Sequence, residues 1–245
     1  MGESIGLQAF GPDRDSHRFL YATAGARSWS SPIGNGSGDV ATVPAGRHAV
    51  AQPDGDRRQG QRFDRHLEEW AGIGVLAQVH AVLVGMLRGD PTLILDTCSV
   101  RAKRGGDLTD PTDRGTKYHI AGDGVPVACA ATAANVNDTL VFERLFLAAF
   151  AVMTRIRTVF ADKGYDAEHH RDLCRKFGAE PCIHKRGQPH GSGLGKRRWP
   201  VERSNAWVLE NKRLALRYDR LGFIIQSLLL AACIFLVAGR VAKEL

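Results

Sequence analysis

The sequence predicts an α/β fold, a mixed sheet with helices on its faces. Two observations carry this: from residue 92 onward short apolar runs alternate with helix-like segments, and two of those runs end in an acid. Thr92–Asp96 (TLILD) is the first run. Lys117–Ala133 reads as a hairpin turning at Asp123-Gly124, because Asp-Gly readily supplies the positive φ angles of a tight turn. Asn137 or Asp138 is placed to cap a helix through TLVFERLFLAAFAVM, which is apolar nearly all round and therefore buried. Thr158–Asp162 (TVFAD) is the second run ending in an acid. Asp166 is placed to cap a helix with Leu173, Cys174 and Phe177 on one face, stopped by Gly178. EPCIH forms a fifth strand, and Pro200 suits the first turn of a helix running to about Arg217. The order is three strands, helix, strand, helix, strand, helix.

The flanks read differently. Residues 1–60 are rich in Gly, Ala, Ser, Pro, Arg and Asp without a sustained period, so they are expected to be disordered or the product of a degenerate frame. Residues 61–90 carry Phe63, Leu67, Trp70, Val75, Val79, Val82 and Met86 at helical spacings, which predicts two helices around Gly72–Gly74. Residues 91–220 form the α/β unit and 221–245 a C-terminal helix. Its apolar run, Phe223–Ala238, contains Gln226 and Ser227 and is short for a span of roughly 20 residues, so packing on the core is expected and no membrane partner.

The formal charge is +7 and the pI about 9.4, which favours an anionic partner. The basic residues concentrate: Lys185 to Arg220 holds ten Lys or Arg against Glu202, Glu210 and Asp219. The five cysteines form no CxxC pair, which argues against a zinc site or disulfide framework and for a reducing cytoplasm. Neither GxSxG nor a complete phosphate loop occurs: in HGSGLGKR, His190 and Arg197 stand where Gly and Ser or Thr are required.

Three acids remain as candidates for chemistry. A strand-end Asp serves equally well as a turn residue, but Asp96 and Asp162 form a pair that one sheet edge can bring together. Glu202 lies in the first turns of the last helix, where the helix dipole alone explains a carboxylate. Arg198 precedes it by one turn, Arg203 and Lys212 follow, and Arg213 returns to nearly the same stripe on a continuous helix. Val201, Val208 and Ala215 repeat every seven residues as its buried seam. Carboxylates without a His or Cys cluster suit Mg²⁺ or Mn²⁺, and two such ions support in-line displacement at phosphorus. His119, inside the hairpin, reads as a packed or surface residue.

The segments LILDTCSVRAKRGG, VFADKGYD and RRWPVERSNAWVLENKRLALRYDR, with the hairpin between them, resemble the bacterial DDE insertion-sequence transposases from about Arg62 to Arg240. The resemblance implies a ribonuclease-H-like core, a triad on Asp96, Asp162 and Glu202 holding two Mg²⁺ or Mn²⁺ ions, and DNA strand cleavage and transfer at transposon ends. It also implies double-stranded DNA as partner, a homodimer when active, and a cytoplasmic, nucleoid-associated location. Arg198, Lys212 and Arg213 match its basic positions, with Arg203 beside them. Lys163 and Tyr165 match its signature and are expected to line the DNA groove, with packing an equal reading for Tyr165. Asn135 and Asp138 match its polar cluster, which capping also explains. The structured N-terminal region usual in the family has no counterpart pattern in residues 1–60. A DNA-binding remnant that has lost cleavage is therefore the second reading.

Overall fold

A computed structural model describes residues 54–87, 91–153, 155–187 and 194–245, the side chains of 54–61 and 194–198 excepted. Most of the segment expected to be disordered, residues 1–53, lies outside the described residues. The remainder opens α1, Asp54–Gly72, which starts before the expected onset of order. The helix breaks at Gly74, whose φ of 73° is left-handed, and α2 continues over Val75–Met86, bent by 69° from the preceding helix. The buried positions here are Leu67, His80 and Val84; Phe63, Trp70, Val79, Val82 and Met86 are exposed.

Five strands follow: β1 Thr92–Arg101, β2 Gly115–Gly122, β3 Pro126–Ala133, β4 Thr158–Ala161 and β5 Glu180–Ile183, in the spatial order β3-β2-β1-β4-β5. The first three pair antiparallel, whereas β4 joins β1 and β5 joins β4 in parallel. This mixed sheet, flanked by helices, is ribonuclease-H-like. The hairpin turn falls at Asp123–Val125 with Gly124 at φ 100°, a conformation costly for any residue with a Cβ.

Between strands lie α3, Thr139–Val152, and α4, Glu168–Lys176; after β5 come α5, Leu194–Leu209, α6, Lys212–Ala215, and α7, Gly222–Glu244. Side chains alternate across the sheet. Leu93, Leu95, Val159 and Ala161 face α3 and Cys174 of α4, while Ile94, Ile120 and Phe160 face Val201 and Val208 of α5 and Ile225, Leu229 and Cys233 of α7. Each of the Val, Leu, Ile and Phe side chains among them contributes roughly 1.5–3 kcal/mol by burial. By length and composition α7 suffices to cross a membrane, yet here it packs on the sheet. Gln226, one of two polar residues within its apolar run, accepts from Ala131 N at 2.9 Å and so ties down an N–H of edge strand β3.

Three local expectations are corrected, and one that left two residues open is decided. The first acidic run does not end at Asp96: β1 continues to Arg101, because β2 supplies partners as far as the Arg101↔Gly115 pair. Asp166 does not cap α4; its carboxylate is engaged by Arg171 and by Arg186 N, both at 2.7 Å, and Ala167 stands at the cap. Asp138 likewise makes no cap bond; Asn137 accepts from Thr139 N, and Asp138 pairs with Lys117 at 2.8 Å. The last helix does not run to Arg217. It starts at Leu194, holds Pro200 in its interior, and stops at Leu209, where Asn211 turns extended (ψ 106°) and donates its amide to Val208 O.

Candidate active site

Asp96 and Asp162 are brought together by strand register. The parallel pairing aligns Thr92 with Thr158, Leu93 with Val159 and Ile94 with Phe160, so continuing it two residues sets Asp96 opposite Asp162. Adjacent strands lie about 4.8 Å apart. Alternation puts Asp96 on the face shared by Ile94 and Phe160, beneath α5, while Asp162 lies one residue past the end of β4. Asp96 is buried, whereas Asp162 is half-buried at the foot of a 3₁₀ turn, Lys163–Tyr165. Asp162 Oδ1 accepts from Gly164 N at 2.9 Å, which fixes the carboxylate against the turn.

Helix α5 reaches this pair through Asn205, whose Nδ2 donates to Asp96 Oδ2 at 2.8 Å. Glu202 precedes Asn205 by three residues and therefore lies on the same side of the helix, its side chain exposed. Among the described residues no three acidic, imidazole or thiol side chains already stand together at metal-ligand distance. The donor set itself suits a hard cation: carboxylate oxygens from β1, from the end of β4 and from α5, with no competing thiolate. The buried Asn205 Oδ1 beside Asp96 has no hydrogen-bond partner among the described residues, as a group kept for a water or a hydrated ion would.

A further carboxylate approaches. A Cβ placed on Gly164 would meet Asp138 Oδ2 at 2.7 Å and Asp162 Oδ1 at 3.0 Å, so the two acids flank one glycine. The charges of Asp138, Asp162 and Asp96 all act on Tyr165, whose hydroxyl is pushed above its ordinary range first by burial, with the Thr97 hydrogen bond opposing. Burial, then the charge of Asp96, pushes the Cys98 thiol up to about 12, so it stays protonated.

The basic residues are less uniform than their sequence suggests. Arg203 is sandwiched between Trp199 and Trp207, its guanidinium 4.4 and 4.8 Å from their ring centroids. Lys212 is exposed on α6. Arg213 does not share a stripe with Glu202, because the chain leaves the helix at Leu209; it bridges Asp64 and Asp219 instead. The expected seam holds at Val201 and Val208, but Leu214 replaces Ala215 as the buried residue. Lys163 is half-buried on the 3₁₀ turn, and the side chain of Arg198 lies outside the described residues. Of the two readings of Tyr165, packing holds: it is fully buried. Asn205, Thr97 and Lys117 escaped the sequence reading, although Asn205 falls one helical turn after Glu202 and Thr97 directly follows Asp96.

Residues 88–236 match the family described as the transposase DDE domain, from just before β1 into α7. The chain belongs to this family. It is 42% identical over 142 residues, 54% of this chain and 67% of the relative, to a putative transposase for insertion sequence element IS402 of Burkholderia cepacia. Among solved structures it is similar to the catalytic core domain of BIV integrase (12% identity, 64% of this chain and 100% of that one, TM-score 0.37). A piggyBac transposase in a synaptic complex with hairpin DNA gives 8% identity, 63% and 48% coverage, and a TM-score of 0.39, so this chain spans less than half of it. The DDE domain thus accounts for the whole sheet and the helix that carries Glu202.

Proposed function

We propose that this transposase-family chain cleaves DNA at the ends of an insertion sequence and joins the freed ends to a target, using Mg²⁺ or Mn²⁺. The observation that carries the reading is the placement of Asp96 on β1, bonded to the helix bearing Glu202, with Asp162 just past the end of the neighbouring parallel strand β4. Asp96, Asp162 and Glu202 would hold the metal, with Asn205 orienting the Asp96 carboxylate. Two bound ions would supply activation of a water or 3′-hydroxyl and neutralisation at the leaving oxygen. No nucleophilic side chain is then needed, and the side chains act by positioning and charge. Lys163, Arg198, Arg203 and Lys212 would meet DNA phosphates; Arg213 would do so only by loosening its pairs with Asp64 and Asp219. Action as a homodimer, at the nucleoid of a bacterial cytoplasm, belongs to the same proposal.

The test is cleavage of duplex DNA carrying the element's own ends, with Mg²⁺ or with EDTA. Asp162→Asn should abolish metal-dependent strand breaks and leave DNA binding nearly intact; breaks that persist at the wild-type rate refute the assignment. The exposed Glu202, without a closed three-acid cluster among the described residues, favours a second reading, a DNA-binding chain without cleavage. That reading requires end binding with no strand breaks in any divalent metal.

A further inference from the structure

Backbone pairing between β1 and β4 ends at Ile94↔Phe160, two residues short of the acids on both strands. Beyond that point a side-chain bond joins the two segments. Thr97, immediately after Asp96, shares a hydrogen bond of 2.7 Å with the hydroxyl of Tyr165, which closes the 3₁₀ turn begun at Asp162. His119, opposite Thr97 on β2, braces the joint: its Nδ1 lies 3.2 Å from Thr97 Oγ1 and 3.4 Å from the Tyr165 hydroxyl, and its Nε2 lies 2.8 Å from Thr132 Oγ1 on β3. Tyr165 and His119 are both fully buried. The network sits on the opposite face of β1 from Asp96, since successive side chains alternate.

We infer that Thr97 and Tyr165 form a latch, braced by His119, that sets the spacing of Asp96 and Asp162 from the far side of the sheet and so tunes their affinity for a divalent cation. The inference rests on the proposed metal-holding role of those two acids. Without the latch, the segment of β1 beyond Ile94 loses its hydrogen bond to the 3₁₀ turn, and the spacing of the two is less tightly set. Tyr165 and Thr97 are positioning residues; partners bonded directly to a metal ligand change affinity by about 10- to 100-fold in other sites, and an effect passed through the backbone is expected at the lower end of that range.

The experiment is Mn²⁺ binding to the full chain without DNA, followed by the electron paramagnetic resonance of free Mn²⁺, alongside thermal melting. Tyr165→Phe and Thr97→Val should each weaken Mn²⁺ binding about tenfold, Thr97→Ser should bind as wild type, and Thr97→Val with Tyr165→Phe together should be no worse than either alone. Val241→Ala, a buried change on α7, serves as the control for destabilisation and should lower the melting temperature without altering Mn²⁺ affinity. Two results overturn the latch: Thr97→Val and Tyr165→Phe binding Mn²⁺ like wild type while Asp162→Asn does not, or Val241→Ala weakening it equally. If wild type and Asp162→Asn bind Mn²⁺ alike, the metal role of the acids fails first and the latch falls with it.

Discussion

Asn205 and Asp96, 109 residues apart in sequence, are joined by an amide-to-carboxylate hydrogen bond of 2.8 Å that pins α5 to the centre of β1. Both side chains are buried, so the bond is shielded from water and its loss is not made good by solvent. It is also the contact that brings Glu202 to the sheet, because the two residues share one side of one helix.

Asn205→Ala should therefore cost about 1–3 kcal/mol of stability, as expected for stranding a buried acceptor. Cleavage should fall while affinity for end DNA changes little, since Asn205 faces the sheet. Asn205→Asp is the sharper probe. A second carboxylate against Asp96 repels it at neutral pH, and a cation bound between them offsets the repulsion. The melting temperature of Asn205→Asp should thus rise with Mn²⁺ by more than that of wild type; equal shifts would place the cation elsewhere.

Gly164 offers a test of the Asp162 turn. A methyl group there would stand 2.7 Å from Asp138 Oδ2 and 3.0 Å from Asp162 Oδ1, and neither carboxylate is free to swing away. Asp138 is held by Lys117 Nζ at 2.8 Å, and Asp162 by Gly164 N itself. Gly164→Ala is expected to displace Asp162 and reduce cleavage at least about tenfold, the cost of about 1.4 kcal/mol in the barrier. Circular dichroism should remain that of the wild type. Full activity in this variant would mean that the observed turn is not the working one.

These contacts mark where sequence reasoning stopped. The strands, the Asp123-Gly124 turn, α3 and the pairing of the two acidic runs were legible because apolar period and turn chemistry are local signals. The end of α5 was not. A heptad of Val201, Val208 and Ala215 continues smoothly in sequence, while the break depends on Asn211 bonding back to Val208 O. Nor was the exposure of Val79, Val82 and Met86 legible: spacing gives a helix but not which side meets the sheet, and His80 proved to be the inward residue, its Nε2 at 2.8 Å from Pro126 O. Among the acids, register could be guessed from paired strands, whereas Asn205 and Thr97 acquire meaning only once their partners are seen.

His119 should make the fold sensitive to mild acid. Burial pushes its imidazole down to about 4, a larger effect than the opposing charge of Asp138 or the reinforcing charges of Lys117 and Arg144. The folded value lies below the ordinary 6.5, so the unfolded chain binds the proton more readily, and stability is present above about 6.5 and lost as pH falls towards 4. The full gap corresponds to about 3 kcal/mol. Burial lowers His80 and His170 as well, so they add to the same slope. In urea melts between pH 7 and 4.5, His119→Gln should lose stability less steeply than wild type, without becoming flat. An unchanged slope would mean that His119 does not titrate in this range in either state.

Arg217 is the largest fully buried side chain among the described residues, and its partners explain why a charge is tolerated there. Its guanidinium donates to Leu108 O at 3.2 Å and Thr109 Oγ1 at 2.8 Å, and also to Asp107 O and Thr116 Oγ1. Its backbone carbonyl accepts from Lys103 N at 2.9 Å. These bonds fasten the β1–β2 connection to the segment between α6 and α7, so Arg217 organises a loop with no regular structure of its own. Lys cannot replace it: an ammonium offers three donors from one point, and four oxygens spread around a planar fork cannot all be reached. Arg217→Lys should cost about 2–4 kcal/mol, and Arg217→Met should cost at least as much, because it strands the buried oxygens while filling most of the volume. Hydrogen exchange of Lys103 and Asp107 amides should accelerate in both variants while that of β4 stays slow. Uniform acceleration across the sheet would instead make Arg217 a support of the whole core rather than of this loop.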